Sequence, residues 1–268
     1  MRIVILEDAA AVALAAAVES IDILGLSTSI APADRPKTVV GLATGGTPLG
    51  LYQLWIERHR RGDISFSHVT SFNLDEYIGL SRNHPCSYHT YMQQKLFAHI
   101  DIDPASAHLP ETDVESLEES AAQYECLIDS VGGIDLQILG IGTEGHIGFN
   151  EIGSSFSSRT RVKTLTEKTR RDNARYFDRF EDVPSMALTM GLGTIMDARS
   201  ILLLATGVSK AQAIRAAVEG PITAMMPASI LQFHENVTML LDEAAASGLQ
   251  HRDYYRQSES NRLKITPS

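Results

Sequence analysis

The sequence predicts an α/β fold, specifically a doubly wound, mostly parallel sheet with helices on both faces, of the Rossmann-like type. Short runs of β-branched and aliphatic residues recur along the chain with helix-like segments between them, as in a parallel sheet. Several runs are apolar at nearly every position, which is typical of strands covered on both faces. The predicted strands are residues 3–6, 38–42, 69–73, 136–141, 187–190, 201–205 and 237–241.

The first helix is predicted from the apolar run at residues 9–18. Glu7 and Asp8 precede this run, where a signal peptide carries positive charge, and Leu14, Val18 and Ile21 follow helical spacing. We therefore expect a helix that buries this apolar face. No run is long enough to span a bilayer, so no membrane partner is expected.

No linker or composition shift divides the chain, so one domain is predicted over residues 1–268. The exception is a polar segment from about residue 251. It is expected to be a loose tail or a segment that a partner subunit orders.

The net charge of −10 and the lack of a long basic stretch argue against nucleic acid as a partner. The basic cluster 58–61 precedes Gly62, which is typical of a helix C-terminus. Cys86 and Cys126 are too few for a disulfide framework and lack the spacing of metal ligands. A cytoplasmic location is expected.

Two loops that follow predicted strands have features of an anion site. In such sheets, ligands bind beyond the carboxyl ends of the strands. Gly45, Gly46 and Thr47 follow strand 38–42 and precede a helix, with Thr47 as N-cap and Pro48 as first helical residue. This loop alone fits a phosphate cradle and a plain turn equally well. Lys210 near the start of another helix favours the anion site, because a cation is unfavourable there without an anion.

Acid–base groups follow the other strands. Asp75 and Glu76 come after strand 69–73, where a carboxylate either caps a helix or removes a proton from carbon next to a carbonyl. His146 lies in a glycine-rich loop between Glu144 and Glu151, and a carboxylate can set its tautomer and basicity. The HExxH, GxSxG and first-strand GxGxxG patterns are missing. Among the reaction types considered, this leaves proton transfer without a metal or cofactor.

Several motifs together resemble glucosamine-6-phosphate deaminase, of the glucosamine/galactosamine-6-phosphate isomerase family. They are GLATGGTP at 41–48, FNLDEY at 72–77, GHIGFNE at 145–151, SRTR at 158–161 and TMGLGT at 189–194. The resemblance covers about residues 1–245. It implies conversion of glucosamine 6-phosphate and water to fructose 6-phosphate and ammonia, without a cofactor.

The resemblance also implies residue roles. Asp75 moves the C2 proton, His146 assists ring opening, and Glu144 and Glu151 support His146, although many relatives have Asp or Asn in place of Glu144. The phosphate is held by groups matching Gly45, Gly46, Thr47, Arg175 and Lys210. The assignment of Arg175 rests on the resemblance alone.

Regulation and assembly are implied in the same way. Some members of the family are hexamers activated by N-acetylglucosamine 6-phosphate, which binds between subunits. Ser154, Arg161, Lys163 and Thr164 match the activator-binding pattern. A homo-oligomer is therefore expected, with a hexamer as the implied state.

Three other functions remain open. A galactosamine-6-phosphate deaminase differs only in the C4 epimer that it accepts. A 6-phosphogluconolactonase has a related fold, but the DEY and HIGFNE motifs together favour the deaminase. A sugar-phosphate sensor without catalysis would leave Asp75 and His146 without a purpose, and such sensors normally carry a DNA-binding module.

Overall fold

A seven-stranded parallel sheet forms the centre of the protein in the computed structural model, which describes residues 1–29 and 37–265. The strand order is β1-β10-β9-β6-β2-β3-β5, and every neighbouring pair is parallel. This confirms the predicted α/β class. The strands are β1 (Arg2–Leu6), β2 (Thr38–Leu42), β3 (Val69–Asn73), β5 (Ala107–His108), β6 (Leu136–Leu139), β9 (Ser200–Ala205) and β10 (Val237–Asp242).

Helices cover both faces of this sheet. One buried cluster includes Trp55 and Leu51, and a second, which includes Tyr124 and Ile214, forms a separate core. The α-helices are α1 (Ala9–Ile23), α2 (Leu49–Arg60), α3 (Tyr88–Lys95), α4 (Leu117–Ser130), α5 (Glu167–Asn173), α6 (Leu192–Met196), α7 (Ala211–Glu219) and α8 (Arg252–Ile265). Among the described residues, no helix combines the length and the apolar character needed to cross a membrane.

A separate three-stranded antiparallel sheet has the order β4-β8-β7. Its strands are β4 (Asp75–Tyr77), β7 (Arg161–Thr164) and β8 (Met186–Thr189). The apolar run 187–190 was expected in the parallel sheet, and that expectation is wrong, because an apolar run reports burial but not its pairing partner. The small sheet places Asp75 opposite Thr189.

Helix α1 forms as predicted, but two of the three residues of its predicted buried face are exposed, and Ile21 alone of the three packs against the core. Its buried residues are Val12, Ala13, Ala16, Ala17 and Ser20. Leu14 and Val18 are 50% and 53% exposed. Small side chains let the helix lie close to the sheet, so the larger apolar side chains point outward.

Two helix starts frame the predicted anion site. Helix α2 begins at Leu49 with Pro48 as its N-cap, one residue later than predicted, and its basic end leads to Gly62 at φ +81°. Lys210 is the N-cap of α7, as its sequence position predicted. Both helix starts therefore follow strand ends of the parallel sheet.

The polar C-terminal segment contains the helix α8, and the final residues of the chain, 266–268, lie outside the part that the structure describes. Arg2 Nε and Nη2 donate to the two carboxylate oxygens of Glu259 at 2.9 and 2.7 Å, and Nη1 donates to Glu19 at 2.8 Å. Tyr255 donates to Glu219 at 3.3 Å. A loose tail is therefore wrong for residues 252–265, because these contacts attach the helix to its own chain.

Candidate active site

A cavity of about 160 Å³ lies beyond the carboxyl ends of the parallel strands. It brings together Asp75, His146, Arg175 and Lys210, which four separate chain segments supply. Its lining comprises residues 43–48, 74–75, 88, 140–142, 146, 148–149, 169, 172–173, 175 and 210. The predicted phosphate loop therefore faces the same space as Asp75 and His146.

Asp75 begins β4 and is 4% exposed. The hydroxyl of Thr189 donates to Asp75 Oδ2 at 3.5 Å and accepts a bond from the Phe149 amide at 3.1 Å. Burial, followed by the neighbouring charge of Glu76, raises the pKa of Asp75 to about 8. A carboxylate with such a pKa is suited to accept and return a proton close to neutral pH.

Two glycines allow His146 and Asp75 to face the same space. A Cβ atom on Gly142 would overlap the imidazole ring of His146. Gly148 adopts φ +54°, and a Cβ there would lie 3.4 Å from Asp75 Oδ2. The glycine-rich sequence of this loop thus serves the close approach of its backbone to both acid–base groups.

Glu151 is the carboxylate nearest to His146. His146 Nδ1 lies 3.7 Å from Glu151 Oε2, and Glu151 Oε1 also accepts from the amide and the hydroxyl of Thr166 at 3.1 and 3.3 Å. Burial lowers the pKa of His146, while Glu151 opposes this shift. The imidazole is therefore mainly neutral near pH 7, and a neutral ring can accept a proton from a substrate hydroxyl.

Glu144 has a weaker effect on His146 than Glu151 has, although neither carboxylate belongs to the cavity lining drawn from residues 1–29 and 37–265. The charge of Glu144 raises the pKa of His146 less than the charges of Glu151 and Asp172 do. Its catalytic role stays a prediction.

Part of the cavity lining fits an anion. The backbone of Gly45, Gly46 and Thr47 meets the first turn of α2, where unpaired amide groups carry partial positive charge. Lys210 reaches the same space, and burial lowers the pKa of its ammonium while Asp172 opposes that shift. Arg175 lies at the cavity with its guanidinium 4.9 Å from the ring centroid of Tyr176. A phosphate here would offset the cost of gathering these cations.

A family model described as glucosamine-6-phosphate isomerases/6-phosphogluconolactonase matches residues 7–240 of this chain. The chain belongs to this family. A relative named glucosamine-6-phosphate deaminase from Hahella chejuensis is 51% identical over 265 residues, covering 99% of this chain and 98% of the relative. One of the same name from Shewanella woodyi is 54% identical over 231 residues, covering 86% and 88%.

Solved structures give the same fold. A structure described as a monomeric glucosamine-6-phosphate deaminase has a TM-score of 0.87 at 46% identity, covering 92% of this chain and 100% of that one. A 6-phosphogluconolactonase from Trypanosoma cruzi has a TM-score of 0.73 at 21% identity, covering 93% and 97%. At that identity the likeness shows the fold alone.

The cavity lining of this member of the isomerase/lactonase family includes residues that the sequence did not point to, among them Tyr88, Thr169 and Asp172. Tyr88 lies at the start of α3, and Asp172 of α5 accepts a bond from Thr143 at 3.0 Å. Thr169, also on α5, lines the cavity from inside the protein. None stands in a strand-end loop, so no local pattern points to them. Thr189, whose hydroxyl donates to Asp75, stood out in the sequence only as the first residue of the motif TMGLGT.

The residues matching the activator pattern lie outside this cavity lining. Ser154 is buried and donates to the backbone oxygen of Glu151 at 2.6 Å. Arg161 and Lys163 are partly buried at alternate positions of β7, and Thr164 ends that strand exposed. Burial lowers the pKa of both Arg161 and Lys163.

Among the described residues, no group of three or more His, Cys, Asp and Glu side chains is arranged to hold a metal ion.

Proposed function

We propose that this chain converts glucosamine 6-phosphate and water into fructose 6-phosphate and ammonia. The observation that carries the proposal is the shared cavity, which is lined by Asp75 and His146 together with Lys210 and the 45–47 loop. The deaminase relatives at 51% and 54% identity support the same reaction.

The substrate phosphate is proposed to bind at the start of α2. Amide groups of Gly45, Gly46 and Thr47 donate to its oxygens, and Lys210 and Arg175 neutralise its charge. The sugar ring then extends toward Asp75 and His146. This binding orients C1 and C2 before the chemical steps begin.

His146 is proposed to open the pyranose ring. Its neutral imidazole takes the proton of the O1 hydroxyl and returns a proton to the ring oxygen as the C1–O5 bond breaks. Glu151, 3.7 Å away, stabilises the imidazolium that forms between these transfers. Glu144 is proposed as a more distant charge acting on the same ring.

Asp75 is proposed to move the proton between C2 and C1. Its ionised carboxylate removes the C2 proton of the open-chain aldehyde and delivers it to C1, while one proton of the amine passes to O1, which leaves a C1 hydroxyl and an imine at C2. Water adds to that C=N bond, and ammonia leaves as the C2 ketone forms. The carboxylate ends the cycle in its starting state, so no redox partner is needed.

Ammonia release tests the proposal directly. The chain should release ammonia from glucosamine 6-phosphate with stoichiometric fructose 6-phosphate. Galactosamine 6-phosphate and 6-phosphogluconolactone, assayed in parallel, test the epimeric deaminase and the lactonase. No ammonia from either amino sugar would contradict a deaminase, and binding of the sugar phosphates without turnover would favour the sensor.

An activator site is a separate proposal. N-acetylglucosamine 6-phosphate would bind near Ser154, Arg161, Lys163 and Thr164, with the two cations meeting its phosphate. Ser154 supports this role because its hydroxyl bonds the backbone of Glu151, which in turn faces His146. Rate curves that the acetylated sugar leaves unchanged would argue against it.

We also propose a homo-oligomer in the cytoplasm, with a hexamer as the expected assembly. The outward-facing Leu14 and Val18 of α1 and the free Cys86 and Cys126 support these proposals. The 46% identical solved deaminase is described as monomeric. Light scattering distinguishes the states, because one chain has a mass of 29.3 kDa.

A further inference from the structure

Glu76 is a buried carboxylate for which the proposed reaction assigns no role. It is 5% exposed and lies between Asp75 and Tyr77 on β4. Successive residues of a strand point to opposite faces. Asp75 therefore lines the catalytic cavity, whereas Glu76 lines a separate cavity of about 420 Å³.

The carboxylate of Glu76 holds the start of α3. Its Oε1 accepts from the Tyr77 amide at 2.8 Å and from the Tyr88 amide at 2.9 Å. Its Oε2 accepts from the His89 amide at 2.8 Å. The amides of Tyr88 and His89 belong to the first turn of α3, which has no backbone partners within the helix. Three donors on two oxygens favour the ionised carboxylate, although burial raises its pKa.

Glu76 is connected to the wall of the catalytic cavity through Tyr88, the first residue of α3. Tyr88 lines that cavity, and its ring stacks on Phe149 with centroids 5.9 Å apart. Phe149 in turn belongs to the loop of His146 and donates its amide to Thr189. Glu76 thus ties a wall of the cavity to the same short strand that carries Asp75.

We propose that Glu76 is a positioning residue for the deamination: it places a fixed negative charge beside Asp75 and holds Tyr88 at the cavity, without touching the substrate. The charge of Glu76 helps to raise the pKa of Asp75, after the larger effect of burial. The role rests on the proposed function, since it concerns the base of that reaction.

The other ionisable groups around this pair come from several elements. Burial raises the pKa of the phenols of Tyr77 on β4, Tyr88 on α3 and Tyr124 on α4, and the charge of Asp75 adds to each of these shifts. His146 and Lys210 share its cavity. On the far side, Glu76 faces Glu111, while Arg82 and His89 line the same outer cavity. The phenols stay neutral near pH 7, so among the described residues Glu76 is the charged neighbour that shifts the pKa of Asp75.

The variant Glu76→Gln tests this assignment, because glutamine keeps the shape and removes the charge, while its NH2 group gives up one of the bonds accepted from backbone amides. Loss of a neighbouring negative charge lowers the pKa of Asp75, so the base ionises at a lower pH. We measure kcat for ammonia release as a function of pH. The acidic limb of this profile should shift to lower pH by about one unit. A limb that stays at the wild-type pH, or that moves to higher pH, would overturn the role.

Two control variants separate charge from structure. Glu111→Gln removes a carboxylate that lines the same outer cavity and is ion-paired with Arg82 at the surface, and its acidic limb should match that of the wild type. Ser87→Ala removes the N-cap of α3, which accepts from the Thr90 amide, and should lower the melting temperature with an unchanged limb. An equal limb shift in Ser87→Ala would contradict a charge effect.

The conservative variant covers the case in which Glu76→Gln does not fold. Glu76→Asp keeps the charge but is one methylene too short to bond both α3 amides, so kcat should fall while the limb stays near that of the wild type. A limb shifted to lower pH in this variant would contradict the assignment. Wild-type protein that releases no ammonia contradicts the proposed function itself. Active wild-type protein with an unmoved Glu76→Gln limb contradicts only the role of Glu76.

Discussion

The variant Asp75→Asn should lose activity and gain stability at alkaline pH. The pKa of Asp75 rises from 3.8 to about 8 in the folded protein, mainly through burial. Consider a carboxyl group whose pKa is higher in the folded than in the unfolded protein. At pH values below its unfolded pKa it does not lower the free energy of unfolding. As the pH rises above that value, the free energy of unfolding falls until the pH passes the folded pKa. A shift of about four pKa units corresponds to at most about 6 kcal/mol in the free energy of unfolding. Asparagine is close in shape and removes this cost.

Thermal unfolding between pH 4 and pH 9 measures the effect. Relative to the wild type, the melting temperature of Asp75→Asn should rise with pH, with a gain of at least about 5 °C between pH 5 and pH 9. Turnover should fall by roughly 10²- to 10⁴-fold while substrate binding is retained, because the base is lost and the cavity shape is kept. Asp113→Asn, at an exposed position, should show no pH-dependent gain. A gain that does not vary with pH would refute the reasoning.

Two further variants probe the phosphate end and the environment of the base. Lys210→Ala should raise KM for glucosamine 6-phosphate by about 10- to 100-fold with little change in kcat, because a charge-assisted phosphate contact is lost. Steady-state kinetics beside the exposed control Lys264→Ala would show this, and an unchanged KM would count against the phosphate site. Thr189→Val removes the hydroxyl that favours ionised Asp75, so the acidic limb of the kcat profile should move to higher pH, opposite to Glu76→Gln. A shift to lower pH would contradict the hydrogen bond.

The parallel sheet was predictable because its strands are short apolar runs between helices. Six of the seven predicted runs lie in that sheet, and the seventh, 187–190, forms the antiparallel strand β8 instead. Helix α1 shows a related limit. Its apolar residues predicted a helix, but alanine allowed the closer approach to the sheet, and Leu14 and Val18 turned outward.

The candidate site was predictable where its residues stand in strand-end loops. Asp75, His146 and Lys210 were found in this way, and they do face one cavity. Arg175 has no distinctive local context, so only the family resemblance placed it there. Asp172 and Thr169 went unnoticed because they reach the cavity from α5, in which no pattern marks a ligand site.

The sequence by itself determined the strand-end loops and their chemistry: the glycine turn at 45–47, the carboxylate pair Asp75 and Glu76, and the glycine-rich loop around His146. Those features are local, because backbone freedom and ionisable groups follow directly from residue type. Only the tertiary structure decided what each group faces. The hydrogen bond from Thr189 to Asp75 joins residues 114 positions apart. Glu76 could have been a base by its sequence position, but in the structure it is buried and accepts bonds from the first amides of α3. Such contacts depend on how distant segments pack, which no local pattern in the sequence records.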